Sequence, residues 1–278
     1  MSATSMGTSG GSVVTFHLQR YAGRGAMRHM AFDRPVLRRT GGLLFWRLLG
    51  TGRGASTTLG ADLRRWALLA VWRDEQAVEE FLARSPIPAR WRREAIETWH
   101  VRLAPTASRG RWNGAEPFAP VTGGPYGGPD GEPRSGPVAV LTRASIRPSR
   151  LPAFYRSAPA VDRSLRAQEG CLASVGMGEW PVARQATFSL WRDAAAVRAF
   201  AYAGRAHREV VERVRAHDWY SEELFARFVP YASAGTWDGA DPLAGPLADP
   251  HADPHADPHA DPHADPHADP HAGPLADP

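Results

Sequence analysis

The chain repeats itself, and this constrains its fold more than any single motif. Val71-Trp-Arg-Asp74, followed by Ala77, Val78 and Phe81, returns as Leu190-Trp-Arg-Asp193, followed by Ala196, Val197 and Phe200. Gly110-Arg-Trp-Asn-Gly-Ala-Glu-Pro117 returns as Gly235-Thr-Trp-Asp-Gly-Ala-Asp-Pro242. The period of about 120 residues is too long for a solenoid repeat and fits duplication of a whole α+β module. Each copy reads β-α-β-β-α-α-β, close to a ferredoxin-like plan. A sheet covered by helices on one face only must bury the other. The expected architecture is therefore α+β: two tandem ferredoxin-like modules forming a paired α+β barrel.

The hydrophobic pattern supplies the parts. Ser12–Leu18 alternates, with Val14, Phe16 and Leu18 on one face and Thr15 and His17 on the other, continuing to Gln19, as a half-buried strand does. Strands are expected at Leu43–Leu49, Arg65–Trp72, Thr98–Ala104, Val138–Ala144, Cys171–Met177, Ala183–Trp191 and Leu224–Tyr231. Helices are expected at Ala26–Arg39, from Arg73-Asp74 to Arg84, Pro86–Glu97, Pro148–Ser157, Ala194–Ala203 and Ala206–Asp218. The expected organisation is a disordered leader (1–11), an N-terminal module (12–118), a Pro/Gly linker (119–136), a C-terminal module (137–243) and a low-complexity tail (244–278). The tail repeats Ala-Asp-Pro-His, with proline at every fourth residue. That spacing forbids a helix, and the tail has no apolar content for a core. It is read as disordered, with weak divalent-metal binding as the other reading.

All 33 basic residues are arginine, and eight of the 29 acids lie from Asp241 onward, so the first 240 residues carry an excess of 12 positive charges. Such a body attracts anionic partners: an acidic protein, an acidic cofactor or an anionic membrane surface. Nucleic acid is not expected, because no helix-turn-helix, zinc-finger or RNP-type pattern is present. The single cysteine, Cys171, excludes an internal disulfide. No secretory h-region and no apolar run of membrane-spanning length occurs, so a cytoplasmic protein is expected.

Five histidines lie outside the tail. His17, His29 and His100 read as surface or hydrogen-bonded residues, and His217 as a helix C-terminal residue favoured by the dipole. His207 shares a helical face with Val210, Val211 and Val214. An imidazole there is either a satisfied core group or a metal ligand. Walker, dinucleotide, nucleophile-elbow and His-Glu-x-x-His motifs are absent, and Gly50–Gly54 lacks the ending of a phosphate loop.

Leu141-Thr-Arg-Ala144, Gly176-x-Gly178-Glu179, Gln185-x-Thr-Phe-Ser-x-Trp191, Phe200, His207, Trp219 and Glu222-Glu-Leu-x-Ala-Arg-Phe228 together resemble the spheroidene monooxygenase family of carotenoid ketolases. Phe45-Trp46, the Trp-Arg-Asp turn, Trp99 and Gly110-Arg-Trp-x-Gly114 extend the resemblance to the first half, so that it covers about Val13–Leu243. It implies oxidation of a linear carotenoid or similar apolar polyene with O₂, a ferredoxin as electron donor and haem b as the iron cofactor. The duplicated module is also similar to the paired-barrel haem proteins such as chlorite dismutase. That likeness implies His207 as the axial iron ligand, Arg143 as a distal or propionate-binding cation and Gln185 as a hydrogen-bonding group on the oxygen side. The basic body then has two uses, docking an acidic ferredoxin or resting against the inner face of a membrane. Oligomeric state stays open. The competing expectations are a cofactor-free α+β barrel that binds a ligand or serves as a structural oligomer, and a haem protein of peroxide or dehydratase chemistry.

Overall fold

Eight strands, each alternating or continuously apolar, close into one antiparallel barrel in the order β1-β3-β2-β6-β7-β5-β8-β4. They are β1 (Val13–Tyr21), β2 (Leu43–Gly52), β3 (Ala61–Trp72), β4 (Ala95–Gly110), β5 (Val138–Ile146), β6 (Cys171–Trp180), β7 (Arg184–Trp191) and β8 (Tyr220–Gly235). The helices are α1 (His29–Arg39), preceded by a 3₁₀ turn at Arg24–Arg28, then α2 (Glu75–Arg84), α3 (Pro86–Glu94), α4 (Ala194–Ala203) and the short α5 (Ala244–Ala248). The computed structural model describes residues 12–52, 60–120, 136–154, 156, 168–180, 184–203 and 219–248. The expected leader at 1–11, residues 121–135 of the expected Pro/Gly linker (119–136), the expected helix at 206–218 with His207 and His217, and the tail from residue 249 lie outside the described residues.

The fold is α+β, and each half of the chain lays its four strands in the same order: fourth, first, third, second. The halves join along β4 and β8, which pair from Trp99↔Gly235 to Gly110↔Leu224, and along β2 and β6, which pair only at Gly50↔Gly178 and Thr51↔Met177. The barrel is filled rather than hollow. Val14, Phe16, Leu69, Trp99 and Val101 from the first half meet Leu141, Val175, Phe188, Ala226 and Phe228 from the second. Phe16 and Phe188 stack across the centre with ring centroids 4.2 Å apart. Burying these rings is the main drive to closure, at about 2–3 kcal/mol for each fully buried side chain.

The duplication is repeated in local geometry. Asp74 accepts a hydrogen bond from Ala77 N–H (2.8 Å) at the start of α2, and Asp193 accepts one from Ala196 N–H (2.7 Å) at the start of α4. Each Trp-Asn/Asp-Gly-Ala segment forms a tight turn closed between Trp112 and Ala115 or between Trp237 and Ala240. Each turn reaches across to the other half. Glu222 of β8 accepts from Asn113 and Gly114 N–H (2.8 Å each), and Glu97 of β4 accepts from Gly239 N–H (2.7 Å). Gly110 and Gly235, at φ 86° and 90°, introduce these turns. A Cβ on either would collide with the carbonyl oxygen of Glu223 or Thr98, so glycine is required by both conformation and space.

Two expectations are corrected. The face of β1 carrying Thr15, His17 and Gln19 does not meet water; all three are buried, because α2 and α3 cover it with Val78, Phe81, Ile87 and Trp91. Strands β4 and β8 each run 16 residues, well beyond the expected Thr98–Ala104 and Leu224–Tyr231, because each finds a partner in the other half. The expected Pro86–Glu97 helix accordingly ends at Glu94, where β4 begins.

Candidate functional site

The outward faces of the two half-barrels occupy equivalent places but differ in what they carry. In the first half, three cross-strand rows run over β2, β3, β1 and β4: Trp46–Ala70–Thr15–Arg102, Leu48–Leu68–His17–His100 and Gly50–Trp66–Gln19–Thr98. The corresponding rows over β6, β7, β5 and β8 are Ser174–Ser189–Val140–Arg227, Gly176–Thr187–Thr142–Phe225 and Gly178–Gln185–Ala144–Glu223. Position by position, Trp46, Leu48, Trp66 and Leu68 become Ser174, Gly176, Gln185 and Thr187. His17 and Gln19 become Thr142 and Ala144.

The first face is packed at its centre, with a cavity of about 20 Å³ left beside Gln19, Leu48, Trp66 and Trp91. His17 is 1% exposed, its ring 5.2 Å from Trp91 and 6.2 Å from Phe81. Among the described residues the second face is cleared of large side chains on β5, β6 and β7; Thr142, the counterpart of His17, is exposed, while Gly176, Val140 and Ser189 are buried. Apolar walls stand at one end, where Trp191 packs on Phe200 of α4 (5.3 Å) and Val138 and Val140 complete a small cluster. The result, among the described residues, is a floor of glycine, alanine, valine, serine and threonine with Gln185, bordered by Trp191, Phe225, Arg227 and Glu223. Such a floor suits a planar, largely apolar ligand carrying a few polar groups. Among the described residues no group of three or more His, Cys, Asp or Glu could hold a bare metal ion.

Gln185 lies on this floor, half-buried between Gly178 and Ala144. Arg143 does not. It pairs in register with Ala186, one step out of phase with Gln185, and points to the barrel side of the sheet. There its side chain is 1% exposed. The guanidinium is ion-paired to Glu222, donates to Asn113 Oδ1 (3.2 Å) and Ser145 Oγ (3.2 Å), and lies 3.7 Å from Glu179. It also lies 5.6 Å from the Trp112 ring, and Arg47 extends the cluster through Glu179 (2.8 Å) and Phe45 (4.1 Å). Burial pushes the Glu222 carboxyl up, but the N–H groups of Gly114 and Asn113 and the Arg143 charge outweigh it and hold the carboxyl below its usual range. Arg143 thus braces one mouth of the barrel, while Gln185 faces the cleared floor; the structure does not bring the two together. His207 lies outside the described residues.

The described histidines His17 and His29 have ordinary roles. His17 Nε2 hydrogen-bonds Thr15 Oγ1 (3.0 Å), which also accepts from Trp72 Nε1 (2.8 Å). His29 pairs with Glu94 at 3.0 Å. Gly176, Thr142 and Thr187 stand in the motifs that carry the family resemblance but have no role assigned there, and Phe225 is not part of them. The signal for them is the duplication itself, because an alignment of the two copies by strand register sets Leu48 against Gly176 and Leu68 against Thr187.

No family model matches the chain. Three curated relatives do, each named spheroidene monooxygenase. The one from Cereibacter sphaeroides is 38% identical over 72% of this chain and 59% of its own length. The one from Rhodobacter capsulatus is 35% identical over 72% of this chain and 80% of its own. The one from Rubrivivax gelatinosus is 37% identical over 84% of this chain and 87% of its own. The chain thus matches less than two thirds of the first relative's length and most of the other two. Among solved structures, an aldoxime dehydratase superposes with a TM-score of 0.57 at 13% identity, covering 86% of this chain and 88% of that one, a likeness of fold alone.

Proposed function

The chain belongs to the spheroidene monooxygenase family, and from that premise we propose that it is an oxidoreductase acting on the end of a linear carotenoid, with haem b bound on the cleared face of the second half. The observation that carries this reading is the exchange of Leu48, Leu68, Trp66 and His17 in one copy for Gly176, Thr187, Gln185 and Thr142 in the other. A duplicated fold that needed both faces only for stability would keep both packed. Its shared strand order supports the finer description of the halves as tandem ferredoxin-like modules.

The residues present fit such a group. A macrocycle needs a wide seat free of large side chains, and the rows from Ser174 to Gly178 and from Val140 to Ala144, small residues with several hydroxyls, would provide one. His207 would hold the haem iron, on the family resemblance. Bound haem supplies the activation of dioxygen. The chain does the rest. Trp191, Phe225 and Val140 exclude water and lie against the apolar polyene. The Gln185 amide and the hydroxyls of Thr142 and Thr187 offer hydrogen bonds at the floor. Arg227 borders it with positive charge. Arg143 keeps the barrel mouth rigid below.

Each turnover inserts one oxygen atom of O₂ into a C–H bond and reduces the other to water, using two electrons from ferredoxin and two protons. A second hydroxylation at the same carbon gives a geminal diol, which loses water to leave the ketone. The test is to purify the protein, record its haem absorbance, and assay carotenoid oxidation with reduced ferredoxin and O₂. The double variant Gly176→Leu/Thr187→Leu, which restores the packed face of the first half, is expected to fold and melt at or above the wild-type temperature yet lose haem and activity. His207→Ala is expected to lose haem as well. Full haem loading by the filled variant, or a wild-type protein inert towards carotenoids, overturns the proposal.

A further inference from the structure

The segment from Ala22 to Arg39 shows solvent one sign of charge. Arg24, Arg28, Arg34, Arg38 and Arg39 are all exposed, and among the described residues none of them forms an ion pair. The segment's single acid, Asp33, is buried and held by Arg90 at 2.5 and 2.6 Å. The nearby carboxylate of Glu94 is taken by His29 (3.0 Å) and Arg93 (2.9 Å).

Large apolar side chains project from among these arginines. Met27 is 54% exposed and Phe32 65% exposed, and Ile96, just beyond the Ala95 that pairs with Tyr21, is 65% exposed. On α1 the buried residues Asp33 and Leu37 define one arc, and Ala31, Pro35, Arg38 and Arg39 the opposite one, with Phe32 on one flank and Arg34 on the other. A short helix lying along the surface with a cationic outer face and apolar anchors is the form of an interfacial membrane helix. Arginine stems can lie along the acyl boundary while the guanidinium groups stay at phosphate level.

We propose that the 3₁₀ turn and α1, residues 24–39, form the surface by which this protein rests on an anionic lipid bilayer, with Met27 and Phe32 entering the headgroup layer. The surface stands on its own residues; its use, access to a polyene dissolved in the membrane, rests on the function proposed above. The uncompensated positive charge matches an anionic leaflet, and Met27 and Phe32 favour a bilayer over a soluble acidic protein, which would meet the arginines without needing insertion.

The full chain is mixed with vesicles of phosphatidylcholine alone or with about a third phosphatidylglycerol, and bound protein is measured by flotation. Binding is expected only to the anionic vesicles and is expected to fall steeply as salt rises. At roughly fivefold per arginine near such a surface, Arg34→Gln/Arg38→Gln should weaken binding about 25-fold. Arg64→Gln/Arg150→Gln, which removes the same charge elsewhere, should leave it nearly unchanged. Phe32→Ser should speed release while preserving the salt dependence. Equal loss in both double variants, or capture of a soluble acidic ferredoxin through these arginines with no vesicle binding, overturns the proposal. Binding is read without substrate, so failure of the proposed chemistry is seen separately, as absent turnover of detergent-dispersed carotenoid by a protein that still floats.

Discussion

His17 is the residue on which one physical effect can be isolated. Burial is the main cause that holds its imidazole well below 6.5, and the neighbouring His100 and Arg102 add to it. His100, 5.7 Å away, is lowered as well, again chiefly by burial and then by Arg102. The other groups against the ring are neutral: Phe81, Trp91 and the Thr15 hydroxyl. Both rings are therefore neutral in the fold when the unfolded chain begins to take up protons. Above pH 6.5 neither state is charged, and stability is flat. Below it the unfolded chain binds a proton that the fold refuses, so stability falls with pH until the depressed folded value is reached. The slope approaches about 1.4 kcal/mol per pH unit for each fully shifted ring. Urea midpoints at pH 7.5, 6.5 and 5.5 should show this decline, and His17→Gln, which keeps a hydrogen-bonding group but cannot titrate, should make it shallower, leaving the share of His100. An equally steep decline in the variant would refute the assignment.

At the scale of elements, α4 is the piece of the second half that stands over the walled end of the cleared face, and a single cap sets where it begins. Asp193 accepts from Ala196 N–H at 2.7 Å, and the Arg192 N–H closes on Gly170 O at 2.8 Å. Asp193→Ala should lower stability by about 1 kcal/mol, and Asp193→Asn by much less, because asparagine caps nearly as well; urea denaturation reads both. This helix was legible from the chain to its bounds, because the cap, the Ala/Val/Phe run and the preceding Trp191 are all local. Strands β4 and β8 were not, since half of each is specified by a partner more than a hundred residues away. The barrel and its duplication were readable from the repeated Trp-Arg-Asp and Trp-x-Gly segments. The site was readable only in part. Arg143 and Gln185 sit on neighbouring strands and look like companions, yet the Arg143↔Ala186 register sends them to opposite sides of the sheet. Arg143 is in phase with the core residues Ala139 and Leu141, whereas Gln185 is out of phase with Ala186, Phe188 and Leu190, and a one-residue difference in phase reverses the face.

For the whole molecule, the shared strand order has a consequence that neither half shows alone. Separated from its partner, the first half would expose Phe16, Leu69, Trp99 and Val101 on an open sheet, and β2 and β4 would become unpaired edges. Those are the conditions under which sheets associate. The complementary half has the same order of strands and meets this one through equivalent turns, Trp112–Ala115 against Glu222 and Trp237–Ala240 against Glu97. A second copy of the first half therefore offers nearly what the second half does: an apolar face, antiparallel edges and a turn to plug the mouth. Residues 12–120 expressed alone should sediment as a homodimer at micromolar concentration, closed by two copies of the β4 edge. Because its outward faces would both carry Leu48, Leu68, Trp66 and His17, that dimer should bind no haem. A folded monomer of this fragment would show that the barrel does not depend on pairing of its halves, and a haem-binding dimer would show that the cleared face of the second half is not what admits the ligand.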